Sequence, residues 1–435
     1  MDTPVCDFLE KYADRELLRL HMPGHKGQGS LGIEGLDITE IDGADVLYSA
    51  KGIIKQSMDN ASALFGTQKT LYSTEGSSLS IKAMLYLAMM ANSKKKPLIA
   101  AGRNAHKVFM YGCALLDIDV DWLYGADLLS CSVTPKALDE YLQNNDPFAV
   151  YITSPDYLGN IADIKGLSEV CHSHGVLLLV DNAHGAYLKF LPQSLHPIDQ
   201  GADMCCDSAH KTLPCLTGTG YLHISSSVDK EISDMAEDAM SIFASTSPSY
   251  LMLYSLDRCN RYINDGLKDR LAEAVVYTER LKQTLSGYSY IGNEPMKLTI
   301  DAKKYGYTGY ELSEILTKQG IVPEFADPDH LVMMLAPNRE GVIALMSVLD
   351  SIPQRAPILD AAPIPMPMTA AMTPRQAIMS KSKLVNTDEA IGRVLAAPSV
   401  SCPPAVPIAV CGEVIDENAI ELFKYYCIEK VRVII

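Results

Sequence analysis

Two short motifs hold the residue types that a covalently bound aldehyde cofactor needs. The sequence SAHKT at 208–212 places Lys211 after a hydroxyl and an imidazole, Ser208 and His210. Thirty residues before that lysine, DNAHG at 181–185 places Asp181 three residues ahead of His184. A lysine amine can form a Schiff base with the aldehyde of pyridoxal phosphate (PLP), and an aspartate can keep the pyridine nitrogen protonated so that the ring accepts electrons. Lys211 alone is more typical of a solvated surface lysine, and Asp181 alone would fit a strand-end turn or a helix cap. The combination of these residues with His184, Ser208 and His210 predicts a PLP site.

A phosphate-bearing cofactor also needs a cradle of backbone N–H groups and hydroxyls at the start of a helix. The sequence STEGSS at 73–78 directly precedes an apolar segment, 80–92, that has the composition of a buried helix. Gly76 would let a phosphate approach the backbone closely, and Ser77 and Ser78 supply hydroxyl donors. An ordinary helix cap would use the same residues. The position before the first helix of an alternating region favours the phosphate interpretation.

His106 is a further candidate, because it follows a short apolar strand in the segment RNAHK at 103–107. Its imidazole could stack on a cofactor ring, and a helix-capping or core histidine fits the position equally well. His21 and His25 flank a Pro-Gly pair, but no carboxylate or cysteine follows them at the spacing of metal ligands. We therefore expect no metal site.

The elements that must position these residues alternate between short apolar strands and helices. The expected strands are 98–101, 118–123, 148–153, 176–180 and 220–224, and the expected helices between them include 57–65, 80–92, 107–115 and 165–174. This alternation predicts an α/β fold with a mostly parallel sheet covered on both faces. Ligands of such sheets bind beyond the carboxyl ends of the strands. His106 and Asp181 follow two of those ends.

The rest of the chain divides by composition. Residues 1–60 are rich in turn formers and predict an irregular N-terminal arm, and 61–285 would form the PLP-binding α/β domain, ending in a long helix over 264–285. Residues 286–352 predict a small α+β domain. Six prolines between Pro353 and Pro374 predict a semi-rigid linker over 353–374. The segment 375–435 would form a C-terminal domain with a helix at 386–394 and a closing helix and strand.

Charge and cysteine usage restrict the class of protein and its compartment. The 37 basic and 53 acidic residues give a formal net charge of −16, which disfavours binding to nucleic acid or to an anionic membrane surface. The 11 cysteines are odd in number and scattered, which is typical of a reducing compartment. The N-terminal segment is charged throughout and has no apolar stretch of the kind found in signal peptides. No apolar run is long enough to span a bilayer. We expect a cytoplasmic protein.

At this point the motifs resemble those of the Orn/Lys/Arg decarboxylases, a PLP-dependent family with the aspartate aminotransferase fold (PLP fold type I). The matching segments are HMPGHKG at 21–27, TEIDGADVL at 39–47, GSS at 76–78, RNAHK at 103–107, TSPDY at 153–157, DNAHGA at 181–186, SAHKTL at 208–213, TSPSY at 246–250, Pro403-Pro404 and Gly412-Glu413. The resemblance runs nearly from end to end and is strongest to the short bacterial forms, which lack an N-terminal wing domain.

The resemblance implies a role for each matched residue. Lys211 would carry the cofactor, Asp181 would pair with its ring nitrogen, His106 would stack on its face and His184 would lie beside Asp181. The phosphate side would be served by Ser77, Ser78, Ser208 and His210. Lys211 or His210 would return a proton to the substrate carbon after CO₂ leaves. Family active sites are built between two subunits, so the resemblance also implies a homodimer in which Thr246 and Ser247 reach the partner's site.

Several positions depart from the family pattern and leave the substrate open. The departures are Glu75, Ile81, Asp156, Asn182, Tyr187, Cys402 and Cys411. The expected reaction is decarboxylation of lysine, arginine or ornithine. An aminotransferase or lyase reaction on the same fold and a non-catalytic regulator derived from the family are the alternatives, and retention of the PLP residues disfavours the regulator. Glu324 and Asp327 are candidates to bind the distal cation of a basic substrate, although a solvated acidic turn would have the same composition.

Overall fold

A computed structural model describes residues 1–92, 97–125, 132–402 and 406–435, so Pro403 and Pro404 of the family motif lie outside the described residues. The chain forms two compact units, each assembled from separate segments. The first unit combines Met1–Ser93 with Leu177–Lys268, and the second combines Lys94–Val176 with Asp269–Ile435. Asp181, Lys211 and the GSS segment at 76–78 all belong to the first unit.

The strands, in chain order, have these bounds. They are β1 (Lys69–Ser73), β2 (Leu98–Gly102), β3 (Asp119–Leu123), β4 (Ala149–Thr153), β5 (Leu177–Asp181), β6 (Met204–Asp207), β7 (Gly220–Ile224), β8 (Ser289–Ile291), β9 (Lys297–Asp301), β10 (Phe325–Ala326), β11 (His330–Met334), β12 (Ser382–Asn386), β13 (Ser399–Cys402), β14 (Val406–Val410) and β15 (Lys430–Ile434).

The α-helices follow in the same way. They are α1 (Pro4–Ala13), α2 (Ile53–Phe65), α3 (Gly76–Met90), α4 (Lys107–Leu116), α5 (Pro135–Leu142), α6 (Ile164–Ser173), α7 (Ala209–Thr212), α8 (Lys230–Asp234), α9 (Ala236–Phe243), α10 (Tyr250–Asn264), α11 (Leu267–Thr284), α12 (Gly309–Lys318), α13 (Arg339–Asp350), α14 (Pro374–Met379) and α15 (Glu417–Tyr425). The expected long helix over 264–285 is therefore α11 alone, separated from α10 by a turn at Gly266, which has a positive φ.

In the first unit the strands lie in the order β1-β7-β6-β5. β5 and β6 are parallel, whereas β7 runs antiparallel to both β6 and β1. All four residues of β6 are buried, and so are most residues of β5 and of the apolar helix α3. Parallel strands covered on both faces need such uninterrupted apolar runs. The carboxyl ends of β5 and β6 consequently lie side by side and carry Asp181 and Asp207.

The N-terminal arm is more regular than the sequence predicts. The expectation of an irregular segment over 1–60 is wrong at its start, because α1 forms there and buries Val5, Cys6 and Leu9. Its first turn has no cap from its own neighbours. Asp257 of α10 instead accepts hydrogen bonds from the backbone N–H groups of Val5 and Cys6, at 2.9 and 3.0 Å. A cap supplied from 250 residues away leaves no local pattern in the sequence.

In the second unit β2 is parallel to both β3 and β4, in the order β4-β2-β3. A separate four-stranded sheet, β10-β11-β9-β8, is antiparallel and packs with α12 and α13 around an apolar core. The C-terminal segment forms two antiparallel pairs of strands, β12 with β15 and β13 with β14, around a further core. This arrangement agrees with the expected small and C-terminal α+β folds.

One expectation for the C-terminal segment is wrong. The sequence predicts a helix over 386–394, but the structure has only a short 3₁₀ turn, Thr387–Glu389, directly after β12. β12 pairs in antiparallel register with β15, about 48 residues further along the chain, and Gly392 has a φ of +72°. Long-range strand pairing and a left-handed glycine override the local helical pattern.

Among the described residues, no helix combines the length and apolar character that crossing a bilayer requires.

Candidate active site

Asp181 ends β5 and is 98% buried, with a fractional exposure of 2%. Its Oδ1 accepts a hydrogen bond from the backbone N–H of Ala183 at 3.2 Å. The thiol of Cys206, on the neighbouring strand β6, donates to the same oxygen at 3.6 Å. The parallel register pairs Asp181 with Cys206 directly. The carboxylate is therefore held at a strand end by contacts from its own loop and from the adjacent strand.

Lys211 and His184 meet although they lie 27 residues apart. The Nζ of Lys211 donates to the Nε2 of His184 at 3.1 Å. His184 is buried in the loop after β5, and Lys211 is exposed on the single-turn helix α7 after β6. An accepting Nε2 places the imidazole proton on Nδ1. The lysine that sequence reasoning selects is thus oriented by a side chain of the Asp181 loop.

The N-terminus of α3 forms the second part of the site. Gly76 begins this 15-residue helix with a φ of +63°, and α3 has no side-chain cap. The hydroxyl of Ser208 donates to that of Ser77 at 2.9 Å, which joins the start of α3 to the segment that carries Lys211. Ser77 and Ser78 are both partly exposed. A helix start without a side-chain cap, beside three hydroxyls, is a chemically suitable set of donors for an anion.

His210 faces the same helix start. Its Nδ1–H donates to the carbonyl of Thr219 at 2.7 Å, which leaves Nε2 as the other nitrogen of the ring. A Cβ added at Gly76 would lie 3.7 Å from the Cε1 of His210. The imidazole of His210 therefore lies next to the start of α3, at van der Waals distance from the position of a Cβ at Gly76.

Glu75 joins the start of α3 to the loop before α10. Its Oε1 accepts from the backbone N–H of Ser245 at 2.7 Å. Thr246 and Ser247, the two residues that the family resemblance assigns to the partner's site, follow directly and are exposed. Glu75, which departs from the family pattern, thus makes a structural contact with the loop before α10.

The remaining candidates belong to the second unit. His106 is the N-cap of α4, where its Nδ1 accepts from the N–H of Val108 at 3.4 Å, and the side chain is exposed. Its local role is therefore the helix cap that the sequence also allowed. The ring-stacking role stays a prediction.

Glu324 and Asp327 differ sharply in what they contact. Glu324 accepts from the phenol of Tyr157 at 2.8 Å in an exposed setting. Asp327 is fully buried, and its Oδ1 accepts from the N–H groups of Asp329 and His330 at 2.7 and 2.5 Å. Its other oxygen faces the ring of His330. Asp327 thus shapes the turn between β10 and β11, and its substrate role stays a prediction, as does that of Glu324.

Comparison with protein families gives the identification. The family model described as "Orn/Lys/Arg decarboxylase, major domain" matches residues 3–293, and that of the C-terminal domain matches residues 359–431. The chain belongs to the Orn/Lys/Arg decarboxylase family. It is therefore a decarboxylase of amino acids, of the group that uses PLP, and the resemblance seen in the motifs is confirmed.

Curated relatives share a modest identity with this decarboxylase over almost all of its length. An arginine decarboxylase of Bacillus subtilis is 29% identical over 97% of this chain and 93% of its own. Uncharacterized protein YaaO of the same organism is 28% identical over the same shares. An arginine decarboxylase of Halalkalibacterium halodurans is 28% identical over 96% of this chain and 91% of its own.

Solved structures show the same fold. The lysine decarboxylase LdcF of Francisella novicida has a TM-score of 0.78 with 16% identity, covering 100% of this chain and 81% of that one. The constitutive lysine decarboxylase of Escherichia coli has a TM-score of 0.75 with 17% identity, covering 100% and 82%. The expected fold class, an α/β PLP fold type I domain with a mostly parallel sheet and smaller α+β parts, is confirmed.

The residues of the first unit fit the cofactor that the family implies. PLP offers an aldehyde, a ring nitrogen and a phosphate, and the decarboxylase offers an exposed lysine amine, a buried carboxylate and an uncapped helix start with hydroxyls.

Sequence reasoning missed two contributors to this site. Cys206 touches the Asp181 carboxylate, and Gly218 accepts from the N–H of Gly76 at 2.6 Å, which anchors the helix start. Gly218 has a φ of +95°, so its turn conformation was detectable in principle as a glycine signal. The role of Cys206 was not, because it depends on the register of β5 against β6.

Proposed function

We propose that this protein catalyses the PLP-dependent decarboxylation of a basic amino acid, arginine, lysine or ornithine, to the corresponding amine and CO₂. The observation that carries the proposal is the contact between Lys211 Nζ and His184 Nε2 at 3.1 Å, three residues beyond the buried Asp181. The uncapped start of α3 lies in the same unit and is bonded to the lysine segment through Ser208.

PLP would be held through Lys211, Asp181 and the phosphate side formed by Ser77, Ser78, Ser208 and His210. When bound, it supplies an electron-accepting ring that stabilises the charge left on the substrate carbon as CO₂ departs. We propose that Asp181 keeps a proton at the ring nitrogen and that His106 excludes water from one face.

Proton handling falls to Lys211 and its two neighbouring imidazoles. His184 accepts from the Lys211 amine and so directs its Nζ. His210 is anchored by its Nδ1–H to Thr219. We propose that the amine of Lys211, with His210 as the second candidate, returns the proton to the substrate carbon after CO₂ leaves. Lys211 is the proposed attachment point of the cofactor and His210 is its neighbour, so either group can deliver the proton without a water molecule as carrier.

A basic substrate needs an anion for its distal cation, and we propose Glu324 ahead of Asp327. Glu324 has one oxygen bonded to Tyr157 and lies in an exposed setting, so a carboxylate oxygen remains accessible. Both oxygens of the buried Asp327 face groups of its own turn. Exchange of Glu324 for Gln is expected to raise the substrate KM about tenfold or more with a smaller effect on kcat. Asp327→Asn is expected to lower stability without that KM change, and an unchanged KM in Glu324→Gln contradicts the assignment.

We further propose a cytoplasmic homodimer with shared active sites. The exposed side chains of Thr246 and Ser247 are available to a partner subunit, which supports the shared site. The described cysteines include nine free thiols, seven of them buried, which suits a reducing compartment.

The reaction is tested with the purified protein and added PLP. Arginine, lysine and ornithine are supplied separately, and CO₂, the amine and any 2-oxo acid are measured. We expect CO₂ and the amine in equal amounts from at least one substrate, together with the yellow absorbance of the cofactor bound to lysine. Lys211→Ala is the control and should lose both the absorbance and the turnover. A 2-oxo acid without CO₂ would indicate an aminotransferase, and PLP binding without turnover of any amino acid would contradict the decarboxylase proposal.

A further inference from the structure

A buried cluster of four polar side chains lies directly behind the ends of β5 and β6. Asp207, the last residue of β6, is fully buried. Its Oδ2 accepts from the Nε2–H groups of His196 and His223, at 3.2 and 3.1 Å. Its Oδ1 accepts from the Nδ2 of Asn182 at 2.7 Å. His196, His223 and Asn182 are also fully buried, and we call these four residues the Asp207 cluster.

The charges of the cluster follow from its hydrogen bonds. Burial opposes ionisation of Asp207, but the two imidazoles outweigh it and hold the pKa of Asp207 below its usual value. Burial lowers the pKa of His223 despite the attraction of Asp207, and the hydroxyl of Thr70 lies 2.9 Å from its Nδ1. His223 is therefore neutral with its proton on Nε2. Asp207 is a buried carboxylate stabilised by three N–H donors. Displacing one of these donors would leave part of a buried charge without a hydrogen bond and would therefore cost free energy.

Each end of the cluster is one residue away from a group of the candidate active site. Asn182 follows Asp181, and its backbone N–H donates to the carbonyl of Cys206 at 3.0 Å. Asp207 precedes Ser208, whose hydroxyl reaches the start of α3. His223 lies on β7, so the cluster connects the ends of β5 and β6 to a third strand. The Asp207 carboxylate thus connects the end of β6 to the residue after β5 and to β7.

We propose that Asp207 is a positioning residue for the cofactor: with His196, His223 and Asn182 it holds the ends of β5 and β6 so that Asp181 and Ser208 are preorganised for opposite ends of one PLP molecule. This inference rests on the proposed function, because it assigns a purpose to residues behind that site. A preorganised site binds its ligand more tightly, because no conformational entropy is lost in ordering the site when the ligand binds. The side-chain N and O atoms of His196, Asp207 and His223 that could bind a metal ion lie within 4.8 Å of one another. The distances from Asp207 Oδ2 to the two Nε2 atoms, 3.2 and 3.1 Å, are those of direct hydrogen bonds, which favours the hydrogen-bonded cluster over a metal site.

The test measures the affinity of the apoprotein for PLP rather than turnover. Apoprotein is prepared for the wild type, Asp207→Ala and Asp207→Asn and titrated with PLP, following the visible absorbance of the bound cofactor. Ala leaves three buried donors without an acceptor, and we expect the Kd for PLP to rise about tenfold or more. In Asp207→Asn the carbonyl can still accept from both imidazoles. The new amide faces the Asn182 Nδ2, and a flip of the Asn182 amide brings its Oδ1, a buried oxygen without a partner in the structure, into position to accept from it. We expect its Kd to stay within about threefold of the wild type.

Asp203 provides a matched control at the opposite end of the same strands. It is a buried carboxylate directly before β6, and it accepts from the N–H of Leu178 on β5 and from the hydroxyl of Ser227, both at 2.8 Å. Asp203→Ala removes an acceptor shared by β5 and β6 but far along the strands from Asp181. We expect the melting temperature of its apoprotein to fall as that of Asp207→Ala does, with the Kd for PLP unchanged.

The outcomes separate the two proposals. If the wild type binds no PLP, the proposed function fails. If the wild type binds PLP and Asp207→Ala binds it equally well with the same absorbance maximum, the positioning role is overturned. An equal loss of affinity in Asp203→Ala would also overturn it, because general destabilisation would then suffice. One equivalent of tightly held zinc per chain would overturn it as well, in favour of a metal site. If Asp207→Ala does not fold, Asp207→Asn alone carries the test. A Kd for PLP in Asp207→Asn as weak as that of a non-specific lysine adduct would then overturn the hydrogen-bond explanation.

Discussion

The carboxylate of Asp181 is held partly by a thiol on the neighbouring strand. Burial, followed by the nearby Asp181, raises the pKa of Cys206 well above its usual value, so its sulfur stays protonated and can donate to the carboxylate. A thiolate at that position would instead repel Asp181 and remove the donor. At the scale of single residues, the site therefore depends on a cysteine being kept unreactive.

This leads to a prediction about thiol chemistry. In the native protein at about pH 8, iodoacetamide should modify the exposed Cys427 and leave Cys206 roughly 100-fold slower to react, because only an accessible thiolate is a good nucleophile. Peptide mass spectrometry over a time course measures both rates. In strong denaturant the two rates should become similar, which serves as the control. Native labelling of Cys206 at the rate of Cys427 would contradict the buried thiol.

At the scale of elements, the start of α3 and the start of β7 approach too closely to admit a side chain between them. A Cβ added at Gly220 would lie 2.8 Å from the backbone oxygen of Asp207 and 2.8 Å from the backbone carbon of Gly76. Relieving such a contact would require moving the backbone of β6 or of α3, which costs more free energy than rotating a side chain. The glycine therefore allows β7 to lie beside both β6 and the start of α3.

Gly220→Ala is accordingly expected to lower the free energy of unfolding by about 1–3 kcal/mol, through overpacking against backbone. Gly341→Ala is the matched substitution. Gly341 lies in the first turn of α13, where an added Cβ meets nothing within 4 Å, so alanine should raise stability slightly, by up to about 1 kcal/mol. Thermal melting of the two variants against the wild type tests this opposition. Similar melting temperatures for both variants would show that the approach at Gly220 is looser than described.

At the scale of the whole molecule, stability depends on pH through His223. Burial lowers the pKa of this ring, so the folded protein does not take up the proton that the unfolded chain binds below about pH 6.5. The free energy of unfolding should fall as the pH drops below that value, by up to about 1.4 kcal/mol per pH unit for this single proton. Asp207 acts in the same sense at lower pH, because its depressed pKa contributes stability that is lost below about pH 4.

Replacing His223 with Gln should make the decline in stability between pH 7 and 5 shallower, since no ring remains to titrate there. Denaturant unfolding at several pH values measures the slope in the variant and in the wild type. His172→Gln, at an exposed position on α6, should keep the wild-type slope. An unchanged slope in His223→Gln would mean that the ring has the same pKa in the folded protein as in the unfolded chain, which contradicts the prediction.

The second prediction for the whole molecule concerns assembly. We expect light scattering to give twice the chain mass of 47.5 kDa. We also expect that mixing inactive Lys211→Ala chains with chains carrying Thr246→Ala and Ser247→Ala, after exchange of subunits, restores about a quarter of wild-type activity. Half of the dimers then contain one chain of each variant. In each of these dimers one of the two sites combines an intact Lys211 from one chain with an intact Thr246 and Ser247 from the other. Each variant alone is the control, and a mixture no more active than its parents would contradict shared sites.

The candidate site was predictable to the extent that it is local. Lys211, Asp181, His184 and the serines of α3 stand out because strand ends, glycines and hydroxyls at a helix start have recognisable patterns over a few residues. The bounds of α4 and β7 likewise follow from short apolar runs. β6 was missed, because its four residues, MCCD, are too few to separate a strand from a turn by periodicity.

The sequence by itself determined the fold class, the family and the candidate residues for the cofactor, since these depend on residue type and spacing along the chain. Only the tertiary structure decided which groups lie behind them. The Asp207 cluster joins positions 182, 196, 207 and 223, and Cys206 reaches Asp181 through the register of two strands. Strand register and side-chain burial are set by packing among distant segments, and no local pattern of residues encodes which buried donor will meet which buried acceptor.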